Sequence, residues 1–208
     1  MKTIKQICIT GGTCGGKTTA FNMLKKNLNY PNLQIFWIPE SATEMMDRNI
    51  SPMEDNVGLD NFQVLNLKNQ LFRENLCLEA ARNCQKDNAL IICDRSSFEQ
   101  QVFLDTKEEF DIICNKCGTT QENLKNSYDA VFHLVSTAIG AEFAFGMINN
   151  EHRIHNIEES RIQELKAQKI WTGHKAFYIF ENNVPFDKKM DNVIDSVKHF
   201  IEENYTNM

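Results

Sequence analysis

Short apolar runs alternate with longer amphipathic stretches along the whole chain. Five continuous apolar runs predict buried strands over residues 5–10, 33–39, 89–93, 130–135 and 176–180. Between and after these runs, apolar residues recur at helical spacing, which predicts helices over residues 17–28, 60–85, 98–105, 158–171 and 186–203. Continuous apolar strands that alternate with helices are typical of parallel sheets. We therefore expect an α/β fold, with a parallel five-stranded sheet covered by helices on both faces in a three-layer sandwich.

Length and charge narrow the class of protein. A chain of 208 residues without a repeat or a linker suits one domain over residues 1–208. The net charge of −6 argues against a general nucleic-acid binder, so no nucleic-acid partner is expected. We see no transmembrane or targeting segment in the sequence, and the expected location is cytoplasmic.

Cysteine usage points to reduced thiols. The chain has seven cysteines, an odd number, scattered through predicted strands and helices. Cys114 and Cys117 form a CNKC pair that could be half of a zinc site or a redox pair. A structural zinc ion needs four ligands, and we find no second close pair nearby in the sequence. An ordinary loop is therefore the favoured interpretation of this pair.

A glycine-rich segment, GGTCGGKT at residues 11–18, follows the first predicted strand and fits the spacing G-x-x-x-x-G-K-[ST]. Such a loop can turn successive backbone N–H groups inward, and the next helix adds its positive N-terminus, so the pair forms a cradle for phosphates. Lys17 would reach the β and γ phosphates of ATP or GTP, and the Thr18 hydroxyl would hold Mg²⁺. The alternative is a turn without a ligand. The predicted nucleotide-binding residues of the loop are Gly12, Thr13, Cys14, Gly15, Gly16, Lys17, Thr18 and Thr19.

Charged residues follow the next two strands at their carboxyl ends, where open parallel sheets bind ligands. Glu40 could accept the proton of a substrate hydroxyl or orient that hydroxyl, although it could also cap the next turn. Asp94 would hold the metal together with Thr18, and Arg95 would place a positive charge beside the transferred phosphoryl group or the acceptor. A surface ion pair is the weaker alternative for Asp94 and Arg95, because both follow an apolar run abruptly.

The segment before the last strand predicts a lid over residues 140–165. Arg153 and Arg161 lie eight residues apart, and so roughly on one helical face. An arginine that arrives when a segment closes over the phosphates would help phosphoryl transfer, and Arg153 is the candidate for catalysis and nucleotide binding. A solvated helix of mixed charge is the alternative. In that interpretation the basic residues are balanced by Glu158, Glu159 and Glu164.

Two glutamines of the predicted helix over 60–85 are candidates for substrate binding. Gln63 and Gln70 lie near one face, and neutral amides can read the edge of a base or an amide-bearing substrate. Partly exposed glutamines without a function are the alternative.

Six motifs in order give the chain a resemblance to a known family. They are PESATE, CDRS, YDAVFHLV, GAE, N-N-x-x-R and W-x-G-H. The chain resembles, over nearly its whole length, the P-loop domain shared by animal TRPL-translocation-defect proteins and the ribosylnicotinamide-kinase domain of bacterial NadR regulators. It departs from the family at Thr13, where the family loop has proline, and at His155, where the family usually has a glutamate.

The resemblance implies a P-loop kinase fold that binds Mg²⁺ with ATP or GTP, and it leaves two functions open. Bacterial relatives phosphorylate a nucleoside-like substrate, which implies a small-molecule acceptor beside the nucleoside triphosphate. The animal relatives are associated with binding of GTP and acidic phospholipids, which implies a regulatory module that contacts such lipids or a protein partner. The pieces Asp94-Arg95-Ser96 and Phe62-Gln63 are also similar to those of deoxynucleoside kinases, where they serve catalysis and substrate reading.

Overall fold

Five strands and seven α-helices follow each other in the computed structural model, which describes residues 2–145 and 156–205. The strands are β1 Thr3–Gly11, β2 Leu33–Ile38, β3 Asn88–Asp94, β4 Ala130–Leu134 and β5 Phe177–Phe180. The helices are α1 Lys17–Asn27, α2 Ser41–Asp47, α3 Leu59–Asn83, α4 Lys107–Lys116, α5 Gln121–Asn126, α6 Ile157–Trp171 and α7 Phe186–Asn204. Two 3₁₀ helices, Phe98–Phe103 and Glu142–Ala144, complete the described elements.

All five strands run parallel in one sheet with the order β2-β3-β1-β4-β5. This arrangement confirms the predicted α/β fold. The register pairs Ile9 of β1 with Asp94 of β3, and Gly11 of β1 with Leu134 of β4. The carboxyl ends of the three central strands therefore lie side by side, and the loops that follow them share one edge of the sheet.

Helices cover both faces of the sheet because successive strand residues point to opposite sides. On one face, Ile7 and Ile9 of β1 pack in a core with α1 and α7. On the other face, Cys8 packs with residues of α3, α4, α5 and α6, among them the fully buried Trp171. Both cores consist of residues that are nearly inaccessible to water, so the sheet is a rigid support for the loops at its edge.

The structure differs from the sequence prediction between β3 and β4. The predicted helix over residues 98–105 is the 3₁₀ helix Phe98–Phe103, and α4 was not predicted. A capping box starts α4, because the Thr106 side chain accepts from the Glu109 backbone N–H and the Glu109 side chain accepts from that of Thr106. Cys114 lies buried in the last turn of α4, so the prediction of a loop at the CNKC pair was wrong at this residue.

Three further observations concern the described residues only. All seven cysteines lie among them, and none forms a disulfide. Residues 2–145 and 156–205 contain no group of three or more His, Cys, Asp or Glu side chains arranged to hold a metal ion. Over the same ranges, no helix combines the length and the apolar character that a membrane span requires.

Candidate functional site

The glycine-rich loop joins β1 to α1, and no side chain caps the N-terminus of α1. Gly16 caps α1 with φ of 96°, in the left-handed region that favours glycine, and it has no side-chain cap. The first hydrogen bond of the helix runs from the Ala20 N–H to the Gly16 carbonyl at 2.9 Å. The backbone N–H groups of Lys17, Thr18 and Thr19 therefore lie before the first hydrogen bond of the helix and can donate to a bound anion.

Lys17 is buried beneath this loop, and its Nζ donates to the Gly12 carbonyl at 2.7 Å. Burial lowers the pKa of Lys17, and the Arg95 charge lowers it further. The carboxylates of Glu99, Glu40 and Asp94 act in the opposite direction and favour the ammonium form. Lys17 is thus close enough to these three carboxylates to interact with them, which connects the loop with the ends of β2 and β3.

Arg95 lies between two carboxylates at the end of β3. Its Nε donates to Glu40 Oε1, and its guanidinium reaches Glu99 Oε1 at 3.3 Å. Its φ of 66° is in the left-handed region, which costs about 1 kcal/mol or more for a residue other than glycine and recurs at functional sites. The Arg95 N–H donates to the Ile9 carbonyl at 2.9 Å, so the backbone is fixed while the side chain turns toward Glu40.

Glu40 occupies the N-cap position of α2, as one of the sequence alternatives had it, but its side chain does not cap the helix. The carboxylate instead pairs with Arg95 and accepts from the Thr43 hydroxyl at 3.0 Å. Burial would raise the pKa of Glu40, but the charges of Arg95 and Lys17 and the two hydrogen bonds outweigh it and lower the pKa. Glu40 is therefore a carboxylate that can accept a hydrogen bond from a substrate hydroxyl.

Asp94 is the last residue of β3 and is 6% exposed. Burial, and then the negative charge of Glu40, raise the pKa of Asp94 to about 6, although Lys17 and Arg95 act against this rise. Within the described part of the chain, no residue donates a hydrogen bond to this carboxylate. A cation beside Asp94 would therefore favour its ionised form.

A cleft opens beside Arg95 between α2, α3 and the 3₁₀ helix after β3. Its enclosed volume is about 50 Å³, and it opens to solvent. Ser41 and Asn66 are fixed to each other across it by a hydrogen bond of 2.5 Å. The side chains that line the cleft belong to Glu40, Ser41, Ala42, Asn66, Gln70, Arg95, Ser96, Glu99, Gln100 and Phe103. The cleft thus presents a few polar groups on a mainly apolar surface, a combination typical of small-molecule sites.

Glu164 of α6 supports the loop from the opposite side. It is fully buried, and its Oε2 accepts from the backbone N–H groups of Gly12 and Ser136, each at 2.9 Å. Its Oε1 lies 2.5 Å from His133 Nε2 and accepts from Gln168 at 2.9 Å. Burial would raise the pKa of Glu164, but these hydrogen bonds, His133 first, lower it to about 2. A Cβ on Gly12 would overlap this carboxylate, which explains why glycine stands there.

The structure brings most of the sequence candidates to one edge of the sheet, but not all of them. Lys17, Glu40, Asp94 and Arg95 lie together, and Gln70 lines the cleft while donating to Glu74 at 2.8 Å. Gln63 is buried in α3 and is not among the cleft residues. Thr18 and Thr19 are exposed at the start of α1, beside the glycine-rich loop.

The predicted lid is described in part. Arg153 lies outside the described residues, so its catalytic and nucleotide-binding roles stay predictions. Arg161 donates to the Ala138 carbonyl at 2.7 Å and pairs with Glu158 and Glu142. The alternative of a solvated helix was wrong for Glu164, because this residue is fully buried. The stripe that α6 buries consists of Ser160, Glu164, Ala167 and Trp171.

Sequence reasoning missed three residues of this region, although each left a signal. Glu164 shares helical spacing with Ala167 and Trp171, which places it on a buried face. His133 is a polar residue inside an otherwise apolar, buried strand, where its ring needs a hydrogen-bond partner. Glu99 follows Arg95 by four residues, a spacing at which a carboxylate and a guanidinium can meet.

Comparison with known proteins identifies the family. The family model described as AAA domain matches residues 6–188, a range that contains the glycine-rich loop, Glu40, Asp94, Arg95 and Glu164. No curated protein matches the chain. The finer resemblance to TRPL-translocation-defect and NadR proteins is not confirmed by these comparisons. The chain belongs to this AAA domain family, whose members are nucleotide-binding P-loop NTPases.

Proposed function

We propose that this protein is a Mg²⁺-dependent kinase that transfers the γ-phosphoryl group of ATP or GTP to a hydroxyl of a small nucleoside-like metabolite. One observation carries the proposal: the phosphate loop with Lys17 lies at the same sheet edge as Glu40, Asp94 and Arg95, and a cleft opens beside Arg95. Phosphoryl transfer depends mainly on positioning and on neutralising charge, and these residue types supply both.

Each residue has a role that follows from its surroundings. The loop amides and Lys17 bind the phosphates, and Glu40 accepts the hydrogen bond of the acceptor hydroxyl. As the hydroxyl oxygen bonds to the γ-phosphorus, the bond from that phosphorus to the β–γ bridging oxygen breaks, and Glu40 takes the proton. Arg95 stays charged because Glu40 and Glu99 raise its pKa against the effect of burial, so it can stabilise the transferred group.

The residues present fit a magnesium ion. Mg²⁺ usually takes one or two protein oxygens and fills its other positions with water and phosphate oxygens. Thr18 and Asp94 would be these protein ligands, since Asp94 is a buried carboxylate to which no described residue donates a hydrogen bond. When bound, Mg²⁺ would neutralise charge on the β and γ phosphates.

A transfer assay tests the proposal. The purified protein is incubated with Mg²⁺, ATP or GTP and a panel of nucleosides and sugar alcohols, and mass spectrometry detects phosphorylated products. The expected result is a product with at least one acceptor, formed at least 100-fold more slowly by Asp94→Asn. Asp87→Asn makes the same chemical change near the opposite end of β3, at an exposed residue, and should retain the wild-type rate.

Two results would contradict a kinase. One is the absence of product over the whole panel with both nucleotides. The other is equal activity of Asp94→Asn and Asp87→Asn. Nucleotide binding without transfer would instead favour the regulatory module, and flotation with anionic liposomes, with and without GTP, would then test its contact with acidic phospholipids.

A further inference from the structure

Glu99 lines the cleft, and one oxygen of its buried carboxylate receives no hydrogen bond from the described residues. The residue is 3% exposed and lies in the 3₁₀ helix after β3. Its Oε1 pairs with Arg95 at 3.3 Å, and its backbone N–H donates to the Ser96 hydroxyl at 3.1 Å. Its Oε2 has no hydrogen-bond partner among the described residues. A buried carboxylate oxygen without a donor is costly, so a donor from a ligand would stabilise this site.

The charges of the cleft are predominantly negative. Arg95 is the one cation among the described residues that line it, and it already pairs with Glu40 and Glu99. Asp94 adds a third carboxylate beside Arg95. Lys17 lies near the same carboxylates, but its Nζ donates to a backbone carbonyl of the glycine-rich loop and would bind the phosphates of the nucleotide. A phosphate or carboxylate group on the acceptor would therefore meet these carboxylates without an unpaired guanidinium or ammonium among the described residues to receive it.

We infer that Glu99 is an acceptor-binding residue, and that the acceptor presents an N–H or O–H donor to Glu99 Oε2 and carries no phosphate or carboxylate group in the cleft. The inference rests on the proposed function and narrows it to neutral or positively charged acceptors. Nucleosides fall within this class, whereas nucleoside monophosphates are excluded. Glu99 thus determines specificity in two ways, because it accepts a hydrogen bond from the right acceptor and repels an anionic one.

Binding measurements test this inference without depending on turnover. Isothermal titration calorimetry, with Mg²⁺ and a non-hydrolysable ATP or GTP analogue present, compares adenosine, guanosine, cytidine and uridine with their 5′-monophosphates. Wild type should bind at least one nucleoside at least tenfold more tightly than the matching monophosphate. Glu99→Gln should weaken binding of that nucleoside at least tenfold and change the affinity for the nucleotide analogue much less. Glu122→Gln, at an exposed glutamate of α5, is the matched control and should behave as wild type.

The inference and the proposed function fail in different ways. Monophosphates that bind as tightly as nucleosides, no detectable binding of any nucleoside, or a Glu99→Gln effect below twofold would each overturn the inference. If nucleosides bind in a Glu99-dependent manner but no product forms, the inference stands and the kinase fails. If Glu99→Gln unfolds more easily than wild type, the comparison of nucleosides with monophosphates on the wild-type protein still tests the inference. Glu99→Asp, which keeps the negative charge, then replaces Glu99→Gln as the variant.

Discussion

Replacement of Glu164 by alanine tests how the phosphate loop is supported. Glu164 Oε2 is the acceptor for two backbone N–H groups, those of Gly12 in the loop and Ser136 after β4. Alanine removes this acceptor from a site that water does not reach, because Glu164 is fully buried. Both N–H groups would then lose their partner, and the loop would lose its connection to α6.

The size of the effect follows from the number of lost partners. A buried donor without a partner costs about 1–3 kcal/mol, so two such donors give about 2–6 kcal/mol. Hydrogen bonds to a charged acceptor contribute about 1.5–3 kcal/mol each, so these two bonds give about 3–6 kcal/mol, which is a similar range. We expect Glu164→Ala to lower the free energy of unfolding by about 4 kcal/mol. Glu164→Gln keeps an oxygen for the two N–H groups and should cost roughly half as much.

Urea unfolding at pH 7, in the absence of nucleotide, measures the loss. Glu158→Ala is the matched control, because it removes an exposed glutamate from the same helix and should cost less than about 1 kcal/mol. Variants that remain folded should also bind nucleotide more weakly, since the loop backbone is no longer fixed. If Glu164→Ala and Glu158→Ala had the same unfolding free energy and the same nucleotide affinity, Glu164 would not support the loop.

Three further predictions concern stability. Gly12→Ala should lower the free energy of unfolding in urea by about 1–3 kcal/mol, because its Cβ would overlap Glu164 and lie 2.8 Å from the Cβ of Ser136. Equal stability of this variant and wild type would be inconsistent with this packing. Tyr128→Phe removes the hydroxyl that donates to Glu74 at 2.7 Å and should lower the free energy of unfolding by about 1–3 kcal/mol. The control Tyr178→Phe, at a partly exposed tyrosine, should lower it by less than about 0.5 kcal/mol. For Lys189, burial lowers the pKa to about 8, with Lys17 adding to the effect and Glu164 opposing it. Between pH 8 and 10.5 the unfolded chain therefore binds more protons than the folded chain. As the pH rises through this window, the free energy of unfolding of wild type should increase by roughly 3 kcal/mol relative to that of Lys189→Met. Parallel plots of unfolding free energy against pH for the two proteins would refute the lowered pKa.

The sheet could be predicted from the sequence because its strands are continuous apolar runs. Each predicted strand agrees with β1 to β5 within two residues at either end. The order of the strands could not be predicted, since it depends on packing between distant segments. Three helices were missed because their signals are polar and short: α2 has only seven residues, Thr106 caps α4 and Thr120 caps α5.

The site was partly predictable for a related reason. Glu40, Asp94 and Arg95 stand where apolar strands end, and in a parallel sheet these ends share one edge. The contact of Glu164 with Gly12 joins residues 152 positions apart, and no local pattern encodes such a distance. Burial of Glu164 was readable from its helical spacing, but its partners were not.

Binding of nucleotide by the glycine-rich loop is the central claim, and titration calorimetry of wild type and Lys17→Ala with MgATP and MgGTP tests it most directly. Wild type should bind at least one of the two nucleotides, and a concentration 100-fold above the dissociation constant should stabilise it by about 2.7 kcal/mol in a melting experiment. Lys17→Ala should lose this binding, while Lys26→Ala, at an exposed lysine of the same helix, should retain it. Failure of wild type to bind either nucleotide at millimolar concentration, or equal binding by wild type and Lys17→Ala, would contradict the account.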